Sequence, residues 1–208
     1  MAKLYDRDYF DRWYRPPGGT AGATARLQQK VALAVAASEY HLGRRLRSVL
    51  DVGCGEGAWR APLKKLRADV DYMGVDSSHY AVARYGRARN LLWVDFKQLG
   101  ELRFARSVDL LVCSDVIHYL DAETLRKGLS GFAELGHGMA FLDLFCRGDE
   151  AEGDEIGWLR RTPAFYRQAF AEAGLLAVGN HCYLLPPLHA SASALEQAVA
   201  LPTRGSRK

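Results

Sequence analysis

The sequence is short of several things, and each shortage excludes a class. Cysteine appears four times, at Cys54, Cys113, Cys146 and Cys182, with no C-x-x-C pair and no metal-type spacing. That argues against a disulfide framework and a zinc module, and leaves reduced structural thiols of a cytoplasmic protein as the expectation. No apolar run approaches the length of a membrane span. The opening stretch MAKLYDRDYFDRWYR lacks the apolar segment of a secretory leader. Neither sign of charge dominates: 28 Lys and Arg stand against 24 Asp and Glu, interspersed, for a net charge of +4. A nucleic-acid partner is therefore not expected. No internal repeat is visible, which argues against a solenoid or a propeller.

What remains is enough for one sizeable core, with 49% hydrophobic residues in 208. Tyr5, Tyr9, Phe10, Trp13 and Tyr14 fall at helical spacing, and Pro16-Pro17-Gly18-Gly19 then breaks the chain. A second helix fits 24–42, with Leu27, Val31, Ala34, Val35, Ser38 and Leu42 on one face. Short apolar runs then read as strands at 48–52, 71–75, 91–94, 108–113 and 138–144, with helical patterns at 57–67, 78–89 and 121–134. Alternation of this kind implies right-handed βαβ units. The expected fold is an α/β, Rossmann-like doubly wound sheet, mostly parallel, of six to seven strands with helices on both faces. Thr162 and Pro163 open a further helix, and 175–185 reads as one late strand. The proline break at 186–187 puts a seventh strand in doubt.

The stretch VLDVGCGEGAW, Val49 to Trp59, carries the chemistry. Gly53, Gly55 and Gly57 follow an apolar strand, where missing Cβ atoms let backbone approach a ligand and permit positive φ. The following helix would aim its N-terminus at that ligand. The order G-x-G-x-G differs from the dinucleotide pattern G-x-G-x-x-G, whose sixth position here is Ala58. Glu56 in the turn and Asp51 at the strand end would repel a phosphate. A cationic, phosphate-free ligand suits the loop better.

The stretch resembles the first motif of the class I S-adenosylmethionine-dependent methyltransferases, and the resemblance covers roughly 45–185. It implies S-adenosylmethionine as cofactor and S-adenosylhomocysteine as product. Asp51, Gly53, Cys54, Gly55 and Gly57 would hold it. Asp76 in YMGVDSS, with Ser77, resembles the acid that binds the ribose hydroxyls. Asp95 in LLWVDF resembles the acid at the adenine amino group, with Phe96 or a neighbour packing on the ring. Ser114 and Asp115 in SDVIHYL resemble the motif beside the cofactor's methionine end. The family often covers its site with residues before the first strand. The aromatic N-terminal helix is therefore either such a lid, hinged at Pro16–Gly19, or a helix packed on the core.

His118 follows the fourth strand, where an acceptor would approach, so it is either a general base or a hydrogen-bonded structural histidine. Tyr9, Trp13 and Tyr119 are the other candidates for the acceptor side. The acid-rich DEAEGDE, 149–155, is either a solvated loop or an entrance favouring a cationic substrate. No Pro-Pro-aromatic run follows the fourth strand, no proline precedes a cysteine, and no double-glutamate hairpin is visible. These absences disfavour amino-group methylation of adenine or glutamine, cytosine methylation and arginine methylation. Asp115 and Asp143 stand near the places of a Mg²⁺ site, but Leu144 follows where such a site has Asn, so no metal is expected.

The resulting expectation is a helical cap over 1–44, a cofactor-binding core over 45–200 and a flexible basic tail over 201–208. Its activity would be methyl transfer to an oxygen or nitrogen nucleophile of a small molecule, with no membrane partner and with a homodimer allowed. The rivals are a silent S-adenosylmethionine-binding protein, a NAD-dependent oxidoreductase and, more remotely, an aminopropyl transferase.

Overall fold

The computed structural model describes residues 5–15, 21–150 and 154–195. The hinge expected at Pro16–Gly19, the tail expected over 201–208 and residues 151–153 of DEAEGDE lie outside the described residues. Two helices, α1 (Arg7–Tyr14) and α2 (Ala21–Leu42), precede β1 (Ser48–Val52). Then come α3 (Arg60–Leu66), β2 (Asp71–Asp76), α4 (His79–Arg89), β3 (Leu91–Trp93), β4 (Val108–Ser114), α5 (Ala122–Leu129) and α6 (Phe132–Leu135). The chain ends with β5 (Gly136–Asp143), α7 (Pro163–Glu172), β6 (Leu176–Gly179) and β7 (Cys182–Leu184).

The strands form one seven-stranded sheet in the order β3-β2-β1-β4-β5-β7-β6. Every pairing from β3 to β5 is parallel, and β7 runs antiparallel between β5 and β6. The order reverses between β1 and β4, and a doubly wound sheet binds its ligand outside the carboxyl ends at such a switch point.

Alternation along the central strands sorts the core into two layers. Val49, Leu110, Val112, Met139 and Phe141 face Val31, Ala34 and Val35 of α2 and Leu63 of α3. Leu50, Val52, Leu111, Cys113, Ala140 and Leu142 face Leu125, Leu129, Phe132 and Phe170 on the other side. Side chains cap the helices that begin at the carboxyl edge. Ser78 Oγ accepts from Ala81 N, Asp121 accepts from Glu123 N and Thr124 N, and Thr162 accepts from Phe165 N.

Two expectations are corrected. The single strand at 175–185 is a hairpin, because Asn180 (φ +50°) and His181 (φ +64°) both adopt left-handed backbone and make a two-residue turn. The seventh strand is thus inside that stretch, and the proline break after it becomes a 3₁₀ turn over Pro186–Ser191. The single helix at 121–134 is two, α5 and α6. A Cβ at Gly131 would overlap the Leu99 carbonyl, so the helix gives way where its backbone presses on the neighbouring turn.

Candidate active site

The loop after β1 is built from backbone. Gly53, Gly55 and Gly57 have φ of +68°, +54° and +77°, a region that other residues enter only with strain. Gly53 N and Cys54 N both donate to Val75 O, at 2.8 and 3.1 Å. Asp76, at the end of β2, takes hold of the same loop. Its Oδ2 accepts from Gly55 N and its Oδ1 from Ser78 N, each at 2.7 Å. Burial raises the Asp76 carboxyl, and these two backbone donors hold it back. The loop after β4 closes the third side, where a Cβ at Gly53 would overlap the Val116 side chain. The ends of β1, β2 and β4 therefore meet at the glycines.

Asp51 stands beneath this loop, at the end of β1. The residue is 2% exposed, and Oδ2 accepts from the Tyr72 hydroxyl at 2.7 Å. Burial pushes its carboxyl up to about 7. The Cys54 side chain also turns inward: its Sγ lies 2.7 Å from where a Cβ on Gly74 would be.

Helix α1 lies directly on the glycines. A Cβ at Gly55 would come within 2.7 Å of the Tyr14 hydroxyl and 3.2 Å of Phe10 Cε1. Phe10 is buried and stacks on Tyr80, with centroids 5.7 Å apart. Ser78 Oγ donates to Tyr5 O at 2.6 Å, and Arg15 Nη1 donates to Glu56 Oε1 and Oε2 at 2.8 and 2.9 Å. Glu56 is thus neutralised by Arg15, so the phosphate-repelling charge expected of it falls instead to Asp76 and Asp115. Burial raises the Tyr14 hydroxyl well above the ordinary range, reinforced by Tyr9, Asp76, Asp115 and Cys54.

At the end of β4, Asp115 adopts φ +61°, and its N–H donates to Asp143 O at 2.9 Å. Ser114 Oγ lies 3.1 Å from both Asp115 Oδ2 and Asp143 Oδ2. Lys30, from α2, donates to Asp143 Oδ2 and lies 3.7 Å from Asp115 Oδ2. Its ammonium occupies the gap between the two acids. His181 Nδ1 lies 3.7 Å from Asp143 Oδ1. Among the described residues, no group of three His, Cys, Asp or Glu could hold a metal ion.

His118 is buried in an aromatic cluster. Its ring centroid is 4.2 Å from that of Tyr119, 5.5 Å from Phe145 and 6.1 Å from Trp158. The Tyr119 hydroxyl donates to Asp154 O. Tyr9 is half-buried in α1, and Trp13 is partly exposed.

The end of β3 is less complete. Asp95 caps the 3₁₀ turn Phe96–Gly100, accepting from Lys97 N at 3.0 Å, while Gln98 Oε1 accepts from Asp95 N. Phe96 is drawn into the core against Phe132 and Gly128. Ser77 stays at the surface, and its carbonyl accepts from Trp93 Nε1 at 3.0 Å.

The structure thus joins Gly53, Gly55 and Asp76 with Val116 and α1 against them, sets Ser114 and Asp115 at the end of the neighbouring β4, and turns Gly57 towards Leu91, Tyr72 and Arg89. Sequence reading passed over Lys30, whose ammonium reaches across to β5 from within an ordinary amphipathic pattern. It also passed over Arg15, Phe145 and Trp158. The excess of aromatics before Pro16 was the one signal that pointed towards Tyr5 and Tyr14.

Residues 50–136 match the protein family described as "Methyltransferase domain". No curated protein matches the chain significantly. Among solved structures, DesVI of Streptomyces venezuelae is 18% identical with a TM-score of 0.62, over 86% of this chain and 97% of that one. The magnesium protoporphyrin IX methyltransferase ChlM of Synechocystis PCC 6803, solved with bound SAH, is 20% identical with a TM-score of 0.58, over 86% and 95%. The sugar N-methyltransferase KedS8 of Streptoalloteichus sp ATCC 53650 is 20% identical with a TM-score of 0.57, over 84% and 85%. These likenesses are likenesses of fold.

Proposed function

We propose that this chain, whose residues 50–136 match a methyltransferase domain, is a class I S-adenosylmethionine-dependent methyltransferase that methylates an oxygen or nitrogen nucleophile of a small molecule. The clamp of Asp76 on Gly55 and Ser78 carries the reading. It fixes a Cβ-free cradle and leaves further lone pairs on a carboxylate for the hydroxyls of a sugar. The residues fit the cofactor: backbone without side chains at the glycines, and acids at the ends of β2, β3 and β4. When bound, the cofactor supplies a sulfonium-activated methyl group.

In this reading the backbone of Gly53, Cys54 and Gly55 meets the amino-acid end, and Asp76 with Ser77 meets the ribose. Asp95 meets the adenine, and Ser114 and Asp115 flank the methyl donor. Asp51 supports the loop from below through Tyr72. Helix α1 serves as a lid that excludes water and orients the acceptor, together with Tyr9, Trp13, His118 and Tyr119. Alignment is the main demand of a displacement at carbon, so positioned walls supply most of what is needed. Four free cysteines accord with a cytoplasmic setting. Among the described residues, no helix is long and apolar enough to cross a membrane.

The test is calorimetric titration with S-adenosylhomocysteine, with NAD as control. Binding of the former alone, weakened roughly 10- to 100-fold by Asp76→Asn, is the expected result. Normal binding by that variant would remove Asp76 from its role, and binding of NAD alone would overturn the assignment.

A further inference from the structure

At the carboxyl ends of β4 and β5, two acids share one cation unequally. Asp115 follows β4 and Asp143 ends β5, with Ser114 Oγ 3.1 Å from a carboxylate oxygen of each. The Lys30 ammonium is hydrogen-bonded to Asp143 Oδ2 but stands 3.7 Å from Asp115 Oδ2, beyond hydrogen-bond range. His181 also lies on the Asp143 side, at 3.7 Å from its Oδ1. The Asp143 side chain is 12% exposed and that of Asp115 is 53% exposed. The inner acid thus has its counter-charge, and the outer one keeps a net negative charge. Burial raises the Asp115 carboxyl, and the nearby ammonium opposes the rise.

Position decides what this charge can meet. Val116, the next residue, fills the space where Gly53 lacks a Cβ, so Asp115 adjoins the glycine cradle from the β4 side. Asp76 adjoins it from the β2 side, but each of its oxygens already accepts from a backbone N–H. Asp115 accepts at Oδ2 from Ser114, and among the described residues no donor is hydrogen-bonded to its Oδ1. We infer that Asp115 is the counter-charge for the donor's sulfonium, left available because Lys30 is taken up by Asp143; the inference rests on the methyltransferase reading above. A half-exposed carboxylate attracts a cation and gains little from a neutral thioether. Transfer removes that positive charge from sulfur. The acceptor's lone pair forms the new bond to the methyl carbon as the C–S bond breaks, and the C–S electron pair stays on sulfur. Asp115 therefore favours the charged donor over the neutral product and helps the product to leave.

The experiment is calorimetric titration of the full chain with three ligands that share their nucleoside and amino-acid ends. They are S-adenosylmethionine, S-adenosylhomocysteine and sinefungin, in which an ammonium-bearing carbon replaces the sulfur. The two cations are expected to bind about tenfold tighter than S-adenosylhomocysteine. Asp115→Asn should bring the three affinities close to equality, through weaker binding of the cations. Asp143→Asn leaves Asp115 in place but frees Lys30 to pair with it, and should shrink the preference in the same way. Both variants are first shown to melt cooperatively, as the parent does. A parent that binds S-adenosylhomocysteine as tightly as the cations, or a preference that survives either substitution, would overturn the counter-charge and leave the methyltransferase reading standing. Failure of all three ligands to bind the parent would instead strike that reading, and the counter-charge with it.

Discussion

Arg15 and Glu56 join the end of α1 to the middle of the glycine loop, through hydrogen bonds of 2.8 and 2.9 Å to the two carboxylate oxygens. Glu56 is 6% exposed, so the pair sits at the edge of the buried region rather than in open water. Phe10 beside it is held by packing, whereas this contact depends on charge. Glu56→Gln is therefore expected to loosen α1 without disturbing the sheet. Tryptic cleavage after Arg12 should accelerate several-fold while the core's melting temperature stays close to the parent's. Unchanged cleavage would mean that packing alone holds the helix.

Gly55 is constrained twice. Its φ of +54° disfavours any side chain, and a Cβ would lie 2.7 Å from the Tyr14 hydroxyl. Gly55→Ala should cost about 1–2 kcal/mol from the backbone alone and more through displacement of α1. In a Tyr14→Ala background the closest contact disappears, leaving the backbone part and the looser contact with Phe10 Cε1 at 3.2 Å. A double-mutant cycle by urea unfolding separates the two, and strict additivity would show that the helix does not press on the loop.

Asp76 serves two buried N–H groups in addition to its proposed ligand. Asp76→Ala leaves Gly55 N and Ser78 N without their acceptor, at about 1–3 kcal/mol each. That variant should melt at a clearly lower temperature, so its loss of ligand binding would be ambiguous. Asp76→Asn retains one acceptor oxygen. It should keep more of the parent's thermal stability while weakening S-adenosylhomocysteine, and equal melting of the two variants would contradict the clamp.

The sheet was readable because β1, β4 and β5 are apolar on both faces, and because Asp121 and Thr162 announce helix starts. The acids Asp76, Asp95 and Asp115 were named through the resemblance of their motifs, and their place after β2, β3 and β4 follows from the alternation of strands and helices. The β6–β7 hairpin was not, since Asn180-His181 reverses the chain where Asn-Gly is the usual signal. The side on which Phe96 packs was hidden as well, because that depends on the space left over Gly128, and spacing along the chain does not contain it. Lys30 is the sharpest omission: its partners lie on β5 and after β4, far away in sequence.

Asp51 fixes a pH dependence. Its unfolded carboxyl titrates near 3.8 and its folded one at about 7. The folded chain therefore keeps the proton through that window, and its stability falls as pH rises. The advantage is complete below about pH 4 and is lost through about pH 7. Asp76 is also raised, chiefly by burial, so its contribution has the same sign. Asp51→Asn cannot ionise, and its stability relative to the parent should improve by roughly 4 kcal/mol at most between pH 4 and pH 8. Chemical unfolding at the two pH values measures the difference, and a gap independent of pH would show that the folded carboxyl is not raised.

Lys30 bears on another pair of acids, Asp143 and Asp115, with the opposite sign. Its ammonium lies against Asp143 and within 3.7 Å of Asp115, while Ser114 offers one hydroxyl proton to both carboxylates. Lys30→Met leaves two acids facing each other with a single donor between them. One of the two should then hold a proton to higher pH, because like charges at that distance resist joint ionisation. The penalty should be largest at pH 8, about 1–3 kcal/mol for a partly buried pair, and should shrink towards pH 5 as a proton takes the place of the ammonium. Adding Asp143→Asn removes the repulsion and should recover much of the loss at pH 8. Unfolding curves of the three proteins at both pH values decide the matter. A penalty that does not vary with pH, or a double variant no better than Lys30→Met, would make Lys30 a packing residue rather than the counter-charge of these two acids.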